Sequence, residues 1–436
     1  MIMLECNGVS QSLEGWGIER AVLRLVSLAI DTFTFDVSVQ DAFADPAFAF
    51  HDVINVYSDG VRVFSGQITK TPVMGSAARE AQSYVASGPW YYLSRIVYKQ
   101  KRLVYNGVII APEIVDSSRV MLFMGTGITD PRNSAAMVEG AINYGVNVFH
   151  IPIQFGGTDL SLQAPMTEVR DVTCADVIIF TAKWTPDAVA WFDYSVDPPA
   201  FYCKRRSSLT AVEIDPINTT ENLVTNWKIQ ARPDLQVAGV LFTFEQTIVV
   251  EGVQKVALTS QTAGDVSGID VITHTFTLQG LTEDTPELPP PSLATLYFNA
   301  VSELQWEGEI EIAEQDCSFI IGPGNAMNFA ATCPARFQTM KALVQQVQYD
   351  LVNGITSVSF GPPSQLGPQD FVTLLNSSRG ITPGTNLATS GSTSGGDGDS
   401  TAGPTPKPFP GSGDQPFPTI ELELCNGSRV HVVGSP

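Results

Sequence analysis

Two runs rich in β-branched residues, Val53-Ile54-Asn55-Val56-Tyr57 and Val61-Arg62-Val63-Phe64, flank Ser58-Asp59-Gly60. An Asp-Gly pair between such runs predicts a tight β-hairpin, because the central residues of the favoured two-residue turns need positive φ. Upstream, Thr32 to Val39 places an apolar residue at every second position, the period of a half-buried strand. Strand character continues through Gly66-Gln67-Ile68-Thr69 and Tyr84-Val85-Ala86-Ser87 to the aromatic stretch Trp90-Tyr91-Tyr92-Leu93. Residues 1–105 are therefore expected to form a compact β-barrel or sandwich. At 436 residues the chain exceeds what one core serves, so a mainly β, multi-domain architecture with a minor α+β part is expected.

Residues 106–210 read as an intervening α+β domain. Strand-like runs at Val108-Ile109-Ile110, Val146-Asn147-Val148-Phe149 and Val177-Ile178-Ile179-Phe180 lie among Gly and Pro turns, and part of Ser134 to Tyr144 has helical character. Residues 211–375 read as a second β-barrel domain, with strands at Leu241 to Val250, Val271 to Leu278 and Glu309 to Ile312 and a loop at Pro289-Pro290-Pro291. Within it Phe337, Met340, Leu343, Val344, Val347 and Leu351 keep helical spacing between Pro334 and Asn353-Gly354, predicting a helix near 335–351 that packs beside a strand at Ile355 to Phe360. Residues 376–418 are rich in Gly, Ser, Thr and Pro and poor in large apolar groups, a linker composition. In 419–436, Ile420, Leu422 and Leu424 alternate with glutamates, Asn426-Gly427 supplies a turn, and Val430 and Val432 alternate on the return. That is a terminal hairpin. A lone hairpin is marginal in water, so it is expected to dock on this chain's body or on a neighbouring subunit, pairing with an edge strand.

Only 16% of the residues are charged while 44% are apolar, which excludes wholesale disorder. The net charge of −21 argues against a dedicated binder of nucleic acid or anionic membrane, since such affinity is built on neutralising phosphates. No stretch approaches the ~20 apolar residues of a membrane helix, and Met1 to Trp16 lacks a signal-peptide pattern, so a soluble chain not exported by that route is expected.

The search for chemistry returns little. The histidines, His51, His150, His274 and His431, fall in separate segments with no His-x-x-x-His pair, and no Gly-x-Ser-x-Gly elbow is present. His51 and His150 are expected to close loops or cap backbone groups. Gly125-Thr126-Gly127 and Gly322-Pro323-Gly324 lack the spacing and lysine of a phosphate loop and read as turns. Gly395-Gly396-Asp397-Gly398-Asp399 is a single copy of a motif that binds calcium only in repeats. The six cysteines, Cys6, Cys174, Cys203, Cys317, Cys333 and Cys425, form no Cys-x-x-Cys pair and read as buried thiols. No enzyme activity, metal or cofactor is expected. The candidate interface residues are the aromatics Trp90, Tyr91 and Tyr92, the basic Lys99, Lys101 and Arg102, and the hairpin's Ile420, Leu422, Leu424, Val430 and Val432. A second basic cluster, Lys204-Arg205-Arg206, reads as solvated charge near a domain boundary.

Taken in order, Gly15-Trp16-Gly17-Ile18-Glu19-Arg20, Asp31-Thr32-Phe33-Thr34-Phe35, Asp52 to Gly66, and Tyr84 to Gln100 with Gly88-Pro89-Trp90 resemble the first domain of the bacteriophage tail baseplate hub family related to late control protein D. The resemblance covers about the first 100 residues. Tyr349-Asp350-Leu351, Asn353-Gly354 and Ser357-Val358-Ser359-Phe360-Gly361-Pro362-Pro363 resemble the closing part of such proteins.

This resemblance implies a tail-tip or baseplate hub, a homotrimeric ring in which two similar barrels per subunit continue the hexameric tail tube. It implies tail tube or distal tail proteins as partners on one side and tail-tip or fibre proteins on the other. DNA would pass non-specifically through the lumen, and the location would be the virion, assembled in the bacterial cytoplasm. An acidic lumen would suit DNA passage. Some hubs carry a lysozyme-like or peptidase-like domain and some tail-tip proteins an iron-sulfur cluster held by four cysteines; neither is expected of this sequence, which closes on a linker and a hairpin and whose cysteines are scattered. The alternatives are an adhesin whose exposed aromatics bind a host-surface glycan and, third, a cell-wall hydrolase.

Overall fold

The structure is a computed structural model. It describes residues 1–39, 45–71, 73–76, 79–104, 113–124, 132–215, 223–250, 253–278, 280–282, 285–286, 289–303, 305–313, 317, 319–362, 420–423 and 429–432. The N-terminal segment contains β1 (Ile2–Cys6), β2 (Val9–Ser12), β3 (Ile18–Val26), β4 (Thr32–Ser38), β5 (Val53–Ser58), β6 (Val61–Lys70), β7 (Val73–Ser76) and β8 (Arg79–Ser87). The middle segment follows with α1 (Trp90–Leu93), β9 (Gln100–Val104), β10 (Glu113–Ser117), β11 (Arg119–Leu122), α2 (Ser134–Phe149), β12 (Gln154–Thr158), β13 (Thr167–Arg170), α3 (Cys174–Ala182), β14 (Ala188–Asp193) and β15 (Ala200–Arg205). The third segment comprises β16 (Thr210–Ile214), β17 (Leu223–Arg232), β18 (Gly239–Val250), β19 (Val253–Gly264), β20 (Val271–Leu278), β21 (Gly280–Thr282), β22 (Thr285–Pro286), α4 (Leu293–Val301), β23 (Gln305–Ala313), β24 (Asn325–Phe329), α5 (Ala335–Gln338), β25 (Ala342–Asp350) and β26 (Ile355–Phe360). A separate unit, Thr389–Pro436, holds the antiparallel pair β27 (Ile420–Glu423) and β28 (Arg429–Val432).

The predicted hairpin is present. Asp59 and Gly60 take φ of 49° and 82°, the paired positive values that match a two-residue turn to strand twist, and Asn7 and Gly8 (51° and 79°) turn β1 into β2 in the same way. The alternating stretch forms β4, which buries Phe33, Phe35 and Val37.

The mainly β architecture matches the expectation, and the two regions read as separate β-barrel or sandwich domains share one large sheet with no closed barrel among the described residues. Its order is β17-β23-β26-β25-β3-β4-β8-β6-β5-β1-β2, with β7, β16 and β24 attached to the side, 14 strands in all. The join is the antiparallel pair β25–β3, which aligns Val347 with Leu25, Gln348 with Arg24 and Tyr349 with Leu23. Backbone pairing thus fuses the N-terminal and third segments into one core that contains Leu23, Phe33, Val347, Tyr349 and Val358. A second sheet, β19-β18-β20, lies between β17 and β23 in the chain and carries α4 against its apolar side, where Phe242, Phe244 and Tyr297 are buried.

Several elements differ from the sequence reading. In place of the helix near 335–351 there is a single turn, α5, and then strand β25. From Gln346 to Asp350 burial alternates strictly, and a bulge between Val344 and Gln346 shifts the phase so that the apolar spacing imitates a helix. Val146–Phe149 is the end of α2 and Val177–Phe180 lies inside α3, both expected as strands. Caps settle these helices: Asn133 Oδ1 accepts from the Ala136 N–H at 3.0 Å, and Thr173 and Asp176 form a reciprocal capping box. Trp90–Leu93 is one helical turn, not a strand. Val108–Ile110, the 376–418 linker and Asn426-Gly427 lie outside the described residues.

Candidate assembly surfaces

Strand alternation gives the large sheet two unlike faces. One buries the core. On the other, the register aligns Lys228 with Glu309, Glu309 with Ser359 and Ser359 with Gln346, whose partner on β3 is Val26; two residues along β25 it aligns Ser357 with Gln348, Gln348 with Arg24 and Arg24 with Thr32, so mostly polar side chains line this face from β17 to β4. Arg24 Nη2 donates to Gln346 Oε1 at 2.6 Å across the β3–β25 join. Two carboxylates on this face stand beside partners: the Arg232 guanidinium binds Glu307 and, beyond the end of β17, Asp234 at 2.8 Å, and Thr225 Oγ1 donates to Glu311 at 2.8 Å. The face is polar and of mixed sign.

The sheet ends differ in length. Among the described residues, β17 at one end offers ten residues of edge strand, with Trp227 57% exposed, and β2 at the other offers four. In the smaller sheet β19 is a twelve-residue edge, where Val256 and Leu258 are 65% and 66% exposed. Long edges with exposed apolar groups are templates for further strand pairing.

The middle segment is tied to the N-terminal sheet by polar contacts. Arg62 Nε donates to Tyr194 O at 2.8 Å, its Nη1 to Asp197 Oδ1 at 3.0 Å, and its Nη2 to Val196 O. The Ala190 N–H donates to Ser27 Oγ at 3.1 Å, and Tyr194 Oη donates to Asp31 Oδ2 at 2.6 Å. Burial pushes the Asp31 carboxyl up to about 7 despite this bond, a backbone bond from Val26 and the Arg24 charge nearby.

The expected interface residues fall in different surroundings. Trp90 is 4% exposed and packs on Phe201, with ring centroids 6.0 Å apart. Tyr91 lies under the Arg95 guanidinium at 4.3 Å, and Tyr92 is half-buried, with burial raising its phenol. Lys99 and Lys101 are exposed beside and on β9; Arg102 pairs with Val115 in the β9–β10 ladder. In the C-terminal unit Ile420 aligns with Val432 and Leu422 with Val430, while Leu424 lies outside the described residues. The exposed Trp227, Val256 and Leu258 were not anticipated, although a strand pair from Gly239 to Gly264 with only Glu245, Glu251 and Lys255 charged was a readable signal.

Among the described residues no group of three His, Cys, Asp or Glu side chains could hold a metal ion. His150 caps α2 in a left-handed conformation, and His51 Nδ1 lies 3.3 Å from Gln67 Oε1. Cys6, Cys174, Cys203, Cys317 and Cys333 are buried, and desolvation pushes the thiols of Cys6 to about 11 and of Cys174 and Cys203 to about 12. Cys425 lies outside the described residues.

No protein-family model matches the chain, and no curated protein matches it. Among solved structures, the fold is similar to the 43 kDa tail protein of prophage MuSo2 from Shewanella oneidensis, at 12% identity and a TM-score of 0.49, covering 84% of this chain and 99% of that one. It is similar to a tail protein from Neisseria meningitidis, at 10% identity and a TM-score of 0.48, covering 85% and 98%. It is also similar to an Escherichia coli type VI secretion component described as structurally similar to T4 bacteriophage tail proteins, at 11% identity and a TM-score of 0.45, covering 83% and 77%.

Proposed function

We propose that this chain is a structural protein of a phage tail, and more finely a tail-tip or baseplate hub that assembles as a homotrimeric ring. The observation that carries the proposal is the β25–β3 pairing. It places the two segments that resemble the hub family side by side in one continuous sheet with a polar outer face. In a ring of three such chains, that sheet would be repeated around an axis, and a face of Gln, Ser, Thr and paired charges would let DNA pass without holding it. The ends β17 and β2 would meet neighbouring subunits. Tail tube proteins would adjoin one rim and tip or fibre proteins the other. The role is one of shape and contact, without catalysis.

Native mass spectrometry of the full-length chain tests this reading. A stable trimer that images as a ring supports it. A protein that stays monomeric, alone and with the tail tube protein of its own phage, overturns it.

A further inference from the structure

Gly322-Pro323-Gly324 takes no part in the surfaces above, yet it forms one lip of a cavity of about 520 Å³ where the N-terminal, middle and third segments meet. That volume lies within the usual range of ligand pockets, about 300–1,000 Å³. The walls combine the aromatic rings of Trp191, Phe319 and Tyr349 with the carboxylates of Asp59 and Asp193. Trp191 is held in place: its ring stacks on Tyr202 at 5.4 Å and 19°, and the Gly324 backbone lies so close that a Cβ there would stand 2.6 Å from the indole.

Among the described residues of the wall the one cationic side chain is Arg62, and its guanidinium is committed to Tyr194 O, Val196 O and Asp197. Asp59 pairs with the N-terminal ammonium of Met1, and Asp193 Oδ1 accepts from Ser195 N at 2.9 Å and Ser195 Oγ at 2.6 Å. Aromatic faces attract cations through their quadrupoles, and carboxylates alongside strengthen the preference.

We propose that this cavity receives a basic side chain, an arginine or lysine, from a partner protein docking at the seam. The apolar stem would lie along Trp191 and Phe319 and the charged head would meet the Asp193 side. A chain with a net charge of −21 offers such a partner a favourable field over the whole approach. The inference stands whether or not the chain is a tail hub.

The test is titration of the full-length protein with N-acetyl-arginine N-methylamide, followed by tryptophan fluorescence and ligand-observed NMR. Parallel titrations use the uncharged norleucine analogue and spermidine. The arginine probe is expected to bind with a Kd of about 1 mM, and the norleucine analogue at least about tenfold more weakly. Gly322→Phe supplies the control, because a Cβ at Gly322 meets nothing within 4 Å, so the ring fills open space beside the cavity. It should abolish binding with unchanged circular dichroism, and Asp193→Asn should weaken binding if Gly322→Phe misfolds. Absence of binding at about 10 mM, equal binding of the norleucine analogue, or indifference to both substitutions overturns the proposal. Binding of spermidine alone overturns the assignment to a side chain.

Discussion

The Tyr194 hydroxyl donates to Asp31 Oδ2 at 2.6 Å, joining the second residue before the Phe33 core position to the middle segment with both side chains buried. The approach is possible because residue 88 is glycine: a Cβ there would lie 2.7 Å from Tyr194 Oη and 3.1 Å from Asp31 Cβ. Asp31 Oδ1 also accepts from the Val26 N–H at 2.7 Å, so one carboxyl closes the β3–β4 turn and holds a neighbouring segment.

Burial of Asp31, which outweighs the lowering effect of this contact, makes stability fall as pH rises. The Asp31 carboxyl is pushed by burial from 3.8 to about 7, so between about pH 4 and 7 the unfolded chain releases a proton that the folded chain keeps. The stabilisation is fully present below the unfolded value and is lost as pH climbs through the folded one, at up to about 1.4 kcal/mol per pH unit. Asp31→Asn keeps an acceptor for Tyr194 and removes the titration. Denaturant unfolding from pH 4 to 8 should show the variant gaining on the parent up to pH 7 and level beyond it. A constant difference would show that Asp31 is not held neutral.

The join between β17, β23 and β26 depends on Gly308. A Cβ at this position would stand 2.0 Å from Lys228 O and 2.6 Å from Phe360 Cζ, one a backbone atom of the paired strand and the other a ring of the core. Gly308→Ala should lower stability by about 1–3 kcal/mol and reduce the thermal midpoint. Gly322→Ala, which enters open space, should leave the midpoint unchanged. Equal midpoints for Gly308→Ala and the parent would mean that the β17 edge is not packed as described.

Local chemistry was legible in the sequence and long-range pairing was not. Asp59-Gly60 announces its hairpin because positive φ is a property of the residues themselves, and the alternation at Thr32–Ser38 needs only one buried face. In α3 the apolar run Val177-Ile178-Ile179-Phe180 reads as a strand because the helix is enclosed on most sides, which erases the helical period. The bulge at Val344 does the reverse in β25, giving a strand the spacing of a helix. Nothing in either strand alone says that Val347 will meet Leu25, so the joining of the two β regions through one sheet could not be read. That β17 and β19 are edges is hidden for a related reason: an edge is defined by the absence of a neighbour, and only the scarcity of charge from Gly239 to Gly264 shows in the residues themselves.

The C-terminal unit supplies the last prediction. The chain divides into Met1–Ala388 and Thr389–Pro436, and the second of these contains the β27–β28 ladder, whose strands are four residues each. Two such strands have too little buried surface to be stable alone, so their sequence alternation is best explained by pairing with another chain. Deleting residues 382–436 should therefore leave the near-ultraviolet circular dichroism and thermal midpoint of the remainder unchanged while weakening assembly, seen as a fall in the trimer fraction by native mass spectrometry at matched concentration. Ile420→Asp and Leu422→Asp in the full chain should do the same, since a charge at each apolar position opposes burial against a partner without shortening the linker. A trimer fraction untouched by both the deletion and the substitutions would remove the hairpin from assembly, and loss of the parent fold on deletion would place its role within the chain's own stability.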